Sequence, residues 1–548
     1  MKRFSHVFII VFISIFIFFI FVCNNSEKKG TKATGSNNDH SDLVSLFKEF
    51  REFQKPKITN GVPDYTPAAM AEQRRGLKEF QKRLAAMDIS GWPVSQQVDY
   101  HIVRAEMNGL DFDHRVRRPW TRDPGFYLIS QAGAGPTMYG LSGLRNPRLP
   151  LQDDDIAEFK IRLQAVPKVY EQAKGNLTEG AADLAALAIH FNEDESAIYR
   201  NLTARLAEHH PDLVSNAERA REAVEDFGKW LEENKSRMTE PAGLGKENLN
   251  WWMKNVHLSP YTWDELMVVT QCELERALAF LKLEENKNRK LPQIELVKTE
   301  AEHLRRHKEA EQNLRKFVRE EEIFTIPEYL GPRRPQPWVN VSNRPFGARS
   351  FFEQLRDRDS LPQLCHEFFG HELDGMRLQH DKRPIRGVRR LYAISKIRSE
   401  GLAYGLEEIL VQAGLIDNRL RAKEINYIAI AFRAVRGIAD LKMNNNEVTL
   451  KEAIQYCYEK TPYNWLLLDG HEVWYEMETN IRYVGWHGTA FIGGKYQLLK
   501  LLADRTSQLG DKFNLCEFMD EFFAAGMIPI ALTRWEMTGL DDEIKKLW

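Results

Sequence analysis

The chain has 548 residues, 43% of them hydrophobic and 28% charged, with a formal net charge of −2. That is a globular balance, long enough for a large core or two packed subdomains. Near-neutral charge argues against a nucleic-acid-binding protein, which carries a strong basic excess, and no phosphate-binding glycine loop or repeat of fixed period occurs.

The N-terminus stands apart. "MKRFSHVFIIVFISIFIFFIFVC" opens with Lys2 and Arg3 and runs apolar from Val7 to Cys23, broken only by Ser14. A charged start before an apolar stretch reads as an export signal. The run is slightly short for a spanning helix, which needs about 20 apolar residues. The polar segment "NNSEKKGTKATGSNNDHSD" follows Cys23. This order predicts either a bacterial lipoprotein cleaved before Cys23 and lipidated there, or an uncleaved anchor. Val22 departs from the small residue usual before a lipidated Cys. Residues 1–23 are therefore the expected signal or anchor and 24–42 a flexible polar linker, with the remainder exported and tethered at the cell envelope. The other cysteines, Cys272, Cys365, Cys457 and Cys516, are widely spaced and form no CxxC motif. They read as buried free thiols, with one disulfide as the alternative.

From about Leu43 helical periodicity dominates. "AAMAEQRRGLKEFQKRLAAM", "DIAEFKIRLQAVPKVYEQAKGNL" and "SNAERAREAVEDFGKWLEENKSRM" repeat apolar residues every three or four positions. "IELVKTEAEHLRRHKEAEQNLRKFVREEEIF" predicts a charged, solvated helix; its His303 and His307 stand at i, i+4 without a supporting carboxylate pattern. Turn-rich stretches over 122–150 and 327–350 punctuate the helices, the second with short strands expected around "PWVNVS". The fold class is mainly α: one large multi-helix domain over 43–548, with minor short strands. Residues 43–260 are expected to form a helical wall and 261–548 to carry the chemistry.

"LPQLCHEFFGHELDG" (361–375) holds that chemistry. His366 and Glu367 begin as the zinc-protease signature HExxH does, but Gly370 stands where the second His belongs and His371 comes one residue late. Ser360 and Pro362 are helix-start residues, and Leu361, Leu364 and Phe368 form a helical stripe. Residues at i and i+4 of a regular helix differ by about 40° and can share a metal, whereas i and i+5 differ by about 140° and cannot. The spacing suits zinc if the helix carries one extra residue as a π-type bulge, which Gly370 tolerates. Otherwise it is a chance string. A hydrolytic zinc needs a third protein ligand and an open position for water. Glu400 in "ISKIRSEGLAYGLEEIL" is the best candidate, with Glu407 and Glu408 as either supporting or surface residues. Glu367 would be the general base for zinc-bound water. His380 and Glu372 read as solvent contacts, and Cys365 points about 100° away from His366.

"HEFFGH" is similar, letter for letter, to the HExxGH motif of dipeptidyl peptidase III enzymes, but their later EExxxE-like element is not found. Wider resemblance is to the bacterial metallopeptidase-like family of domain of unknown function 885. Its HE-x-x-P-G-H motif, EGWALY-like helix, E-x-x-R-Y segment and closing G-D-K-F region resemble "HEFFGH", "SEGLAYGLEE", "METNIRYVGWHGTAF" and "LGDKFNLCEFMDEFFAAGMIPIAL". Upstream, "GLGKENLNWWMKNVHLSPYTWDELMVVTQCELERAL" and "LFKEFREFQKPKITNGVPDY" also resemble family segments. The resemblance implies a helical enclosure with a metal-centred cleft, His366, His371 and Glu400 as ligands of one zinc ion, Glu367 as base, and Arg482 and Tyr483 as groups that bind a peptide carboxylate or an oxyanion. It departs in three places. The motif's Pro is missing, "IGGK" replaces a serine-tyrosine-lysine run with Tyr496 close by, and His487 replaces a Pro. The expected activity is zinc-dependent hydrolysis of peptides or oligopeptides. The rival is a catalytically silent metal- or peptide-binding surface protein of the same fold.

Overall fold

The computed structural model describes residues 39–129, 138–333 and 349–548. The expected signal, Cys23, most of the linker and the "PWVNVS" strands lie outside them. The linker ends earlier than predicted: a helix begins at His40, capped by the Asp39 side chain. The described residues are mainly helical, with Ile58–Thr59 paired against Val62–Pro63 and one isolated bridge between Ala181 and Glu240. None of their helices is long and apolar enough to cross a membrane.

The three periodic segments fold as predicted, over Pro67–Ala85, Asp153–Asn176 and Val214–Asn234. The charged segment, Glu300–Glu320, differs from its prediction. His303, His307, Ala310, Leu314 and Val318 lie along one buried face, because its few apolar residues recur at helical spacing and outweigh the overall charge. The four cysteines are free; Cys365 and Cys457 are buried, but Cys272 is exposed. The two expected halves contribute to common apolar clusters. A single apolar cluster includes Tyr65, Phe227, Phe432 and Ile481.

Two helices run through the interior. In Lys396–Gln412 every residue from Ile397 to Glu407 is buried, and in Ala422–Asn444 every residue from Ile428 to Leu441 is. A helix covered on all sides sits at the centre of a large protein. Around the first pack the segment 361–380, a π-helix at Trp486–Gly493 and the helix Gly494–Leu509; around the second packs Trp263–Lys287. Such close approach requires glycine. A Cβ on Gly401 would stand 2.6 Å from the carbonyl carbon of Gly494, and one on Gly370 would stand 2.4 Å from the Ala403 Cβ.

Gly401→Ala is therefore expected to lower stability by about 1–3 kcal/mol through overpacking. Gly175→Ala, in a helix with nothing within 4 Å of the added carbon, should be neutral or slightly stabilising. Denaturant midpoints of the two variants check this; equal midpoints would contradict the backbone contact.

Candidate functional site

The segment carrying the histidines is one continuous helical run with three pitches. It is α over Leu361–Leu364, π over Cys365–Glu372 and α again over Leu373–His380. Its start differs in detail from the prediction. Ser360 makes no side-chain cap, and the Asp359 carboxylate accepts from the Leu361 N–H at 3.0 Å instead. The π turn absorbs the extra residue between the histidines. Gly370 does not take a left-handed backbone there; its missing side chain lets the turn lie against Ala403.

That contact sets His366, His371 and Glu400 together, with one ligand atom of each within 4.8 Å of the others. The Nε2 atoms of the two imidazoles are 3.0 Å apart. Glu400 Oε2 lies 3.1 Å from His371 Nε2 and 3.7 Å from His366 Nε2. It is buried, with the two imidazoles as its nearest polar neighbours. His366 and Glu400 are nearly inaccessible, whereas the His371 side chain keeps 32% of its surface exposed, so the cluster meets solvent on the His371 side.

Each imidazole is held from behind. His366 Nδ1 lies 2.8 Å from Glu407 Oε1, whose other oxygen accepts from Arg433 at 2.6 Å. Phe491 stacks on the same ring. His371 Nδ1 is 3.1 Å from the Ser399 hydroxyl. Lys396 Nζ stands 3.4 Å from Glu400 Oε1. Electrostatics follow this layout. Burial, reinforced by Arg433, keeps His366 below its ordinary pKa despite Glu407. Burial also opposes charge on His371, but Glu400 overrides it and raises the pKa. For Glu400, burial is outweighed by His371, Lys396 and His366, which hold the carboxyl far below its usual range.

Glu367 sits beside the cluster with Gln363 Nε2 donating to it at 3.0 Å and Arg333 in close ion-pair contact. Arg333 also reaches Glu372 at 3.3 Å. Burial would raise the Glu367 pKa, and Arg333 more than offsets it. Glu407 thus stands directly behind a cluster histidine, while its neighbour Glu408 turns away to Lys495 and Arg276.

The two residues suggested for oxyanion or carboxylate binding are placed differently. Tyr483 packs on Trp486, whose ring lies under the Lys396 ammonium, so it borders the cluster's outer layer. Arg482 is turned toward Asp123 at 2.8 Å and Glu478 at 2.7 Å, and the described residues give it no contact with the cluster. Tyr496 is exposed against Tyr261. His487 is buried 3.0 Å from Glu476. His303 and His307 stack on each other but join no third ligand among the described residues. Sequence reasoning missed Arg333, Ser399 and Arg433. Arg433 was the detectable one, a charge inside the apolar run "INYIAIAFRAV".

Fold and cluster together define a large helical protein that turns two imidazoles and a carboxylate toward one point in its interior. The profile of a bacterial protein family of unknown function, DUF885, matches residues 54–321 and 337–537, and the chain belongs to that family. Two solved structures share its fold. One is a candidate lipoprotein of unknown function from Shewanella oneidensis, 14% identical with a TM-score of 0.67, aligned over 91% of this chain and 100% of its own. The other is a candidate lipoprotein from Colwellia psychrerythraea, 14% identical with a TM-score of 0.68, aligned over 91% of this chain and 98% of its own. No curated protein matches the sequence.

Removing one partner of a buried ion pair costs about 3–5 kcal/mol, more than replacing both. Arg433→Met is therefore expected to destabilise the chain by that amount, and the double variant Glu407→Gln with Arg433→Met to recover part of it. A double-mutant cycle read by denaturant unfolding tests this. Additive losses would mean that the two residues do not act as a pair.

Proposed function

We propose that this protein is a zinc-dependent hydrolase of peptides or oligopeptides, held outside the cytoplasmic membrane. The observation that carries the metal reading is the meeting of three ligand atoms, the buried Glu400 Oε2 and two imidazole Nε2 atoms, at one point. A buried carboxylate is stable only when it is paired or coordinates a metal. A cation among the three atoms would serve all of them at once. Zinc held at about 2.0–2.1 Å spaces tetrahedral ligand atoms about 3.3 Å apart; the spacings here are 3.0, 3.1 and 3.7 Å. Two His and one Glu are a hydrolytic donor set with a position left for water.

Bound there, zinc would supply a Lewis acid that lowers the pKa of its water to about 7. The chain's own residues do the rest. Glu407 and Ser399 occupy the Nδ1 sides of the rings, which leaves both Nε2 atoms for the metal, and such supporting contacts tune affinity. Glu367, charged beside Arg333, accepts the proton at its carboxylate. Arg482, fixed by two carboxylates, serves as a structural ion pair in this reading, not as a substrate ligand. A peptide as substrate rests on the HExxGH resemblance. Envelope tethering rests on the apolar run ending at Cys23 and on the two structural relatives being described as candidate lipoproteins.

One observation favours the silent binding protein instead: Arg333 pairs with the carboxylate that must take up the proton. Zinc content and cleavage of a mixed peptide library separate the readings. The native chain and Glu367→Gln should each hold one zinc, and His366→Ala none. Turnover should fall about 10²–10⁴-fold in Glu367→Gln. Zinc in the native chain without any cleavage would leave the silent protein; no zinc at all would end both metal readings.

A further inference from the structure

A cavity of about 430 Å³ opens beside the helix Leu373–His380 and has none of the three cluster residues in its lining. Four cationic side chains, Arg377, Lys382, Arg383 and Arg398, meet three carboxylates there, Asp374, Asp381 and Asp520. The carboxylates are already engaged. Asp374 accepts from both terminal nitrogens of Arg398, at 2.7 and 3.3 Å. Asp381 takes Arg383 at 2.6 Å. Asp520 accepts from the Thr325 N–H at 3.0 Å and its hydroxyl at 2.6 Å.

Positive charge is left over. Arg377 stands 3.7 Å from the shared Asp374, lies over the Phe523 ring, and has its Nη1 buried without a hydrogen-bond partner. Arg398 is fully buried, and its Nε is likewise without a partner. Lys382 is exposed and forms no ion pair with the described residues. Burial pushes the Arg377 pKa down to about 10, with Asp374 opposing, so the group is charged at neutral pH but poorly compensated. The walls add apolar surface from Leu378 and Met527, and the stacked pair Tyr329–His380, 4.1 Å between centroids, contributes as well.

We propose that this cavity binds a small organic monoanion, a carboxylate with an apolar or aromatic body. The carboxylate would meet Arg377 and Lys382, since a guanidinium matches a carboxylate with paired, charge-assisted hydrogen bonds. The body would lie against the apolar wall, in a space within the usual range of small-molecule sites. A dianion such as phosphate fits less well, because the three carboxylates in the lining leave an excess of only one strong positive charge.

Calorimetric titration of the full chain with phenylacetate, acetate and inorganic phosphate tests this. Saturable phenylacetate binding is expected, tighter than acetate, with zinc content unchanged. Arg377→Gln should weaken it about tenfold or more, the loss of a charged hydrogen-bond donor. If that variant unfolds, Lys382→Glu, on the exposed surface, carries the test with a similar loss expected. No saturable phenylacetate heat through the millimolar range would overturn the proposal. So would tighter binding of phosphate, or unchanged affinity in whichever variant folds.

Discussion

The contact between the π turn and the helix Lys396–Gln412 is the constraint from which the rest of the site follows. Gly370 rests on Ala403 with no room for another carbon, and Gly401 rests on Gly494 with equally little. The central helix is thus gripped on two sides at backbone distance. Glu400 projects from it between these grips toward the histidines. A helix held in this way cannot turn or slide without breaking backbone packing, so the three ligand atoms are positioned by the chain itself rather than by flexible side chains.

Around that frame the interior contains an unusual amount of charge, arranged in pairs. Arg433 answers Glu407, Arg398 answers Asp374, Arg436 answers Glu476, and Lys495 answers Glu273 and Glu408. Isolated buried charges are prohibitive, and paired ones are tolerated when geometry and further hydrogen bonds are good. Two of these pairs cross from one helix to another close to the cluster. Glu407 lies two turns after Glu400, and Asp374 one turn after His371. The charges behind the site therefore also fasten the helices that carry it.

Much of this was legible in the sequence. Apolar periodicity announced the helices. The five-residue interval between His366 and His371 suits a shared metal only if the turn is widened, and the helix is π over Cys365–Glu372. Gly370 lies inside that widened turn, and its missing side chain also allows close packing on Ala403, which local spacing does not reveal. Side-chain partnerships were out of reach. Whether Arg482 faces a substrate or Asp123, 359 positions away, depends on tertiary folding that no local spacing encodes. Helical spacing puts Glu407, and not its neighbour Glu408, on the Glu400 face, but that it backs His366 while Glu408 turns toward Lys495 depends on the helices packed around them.

The shared apolar cluster bears on how the chain is made. Helix Ala182–His209 is flanked by Asp153–Asn176 and Val214–Asn234, but it also packs on His471–Arg482, with His190 stacked 4.0 Å from Trp474. At ribosomal speeds of about 5–20 residues per second, the later partner emerges tens of seconds after the earlier one. During that interval the His190 face lacks the cover that Trp474 later provides.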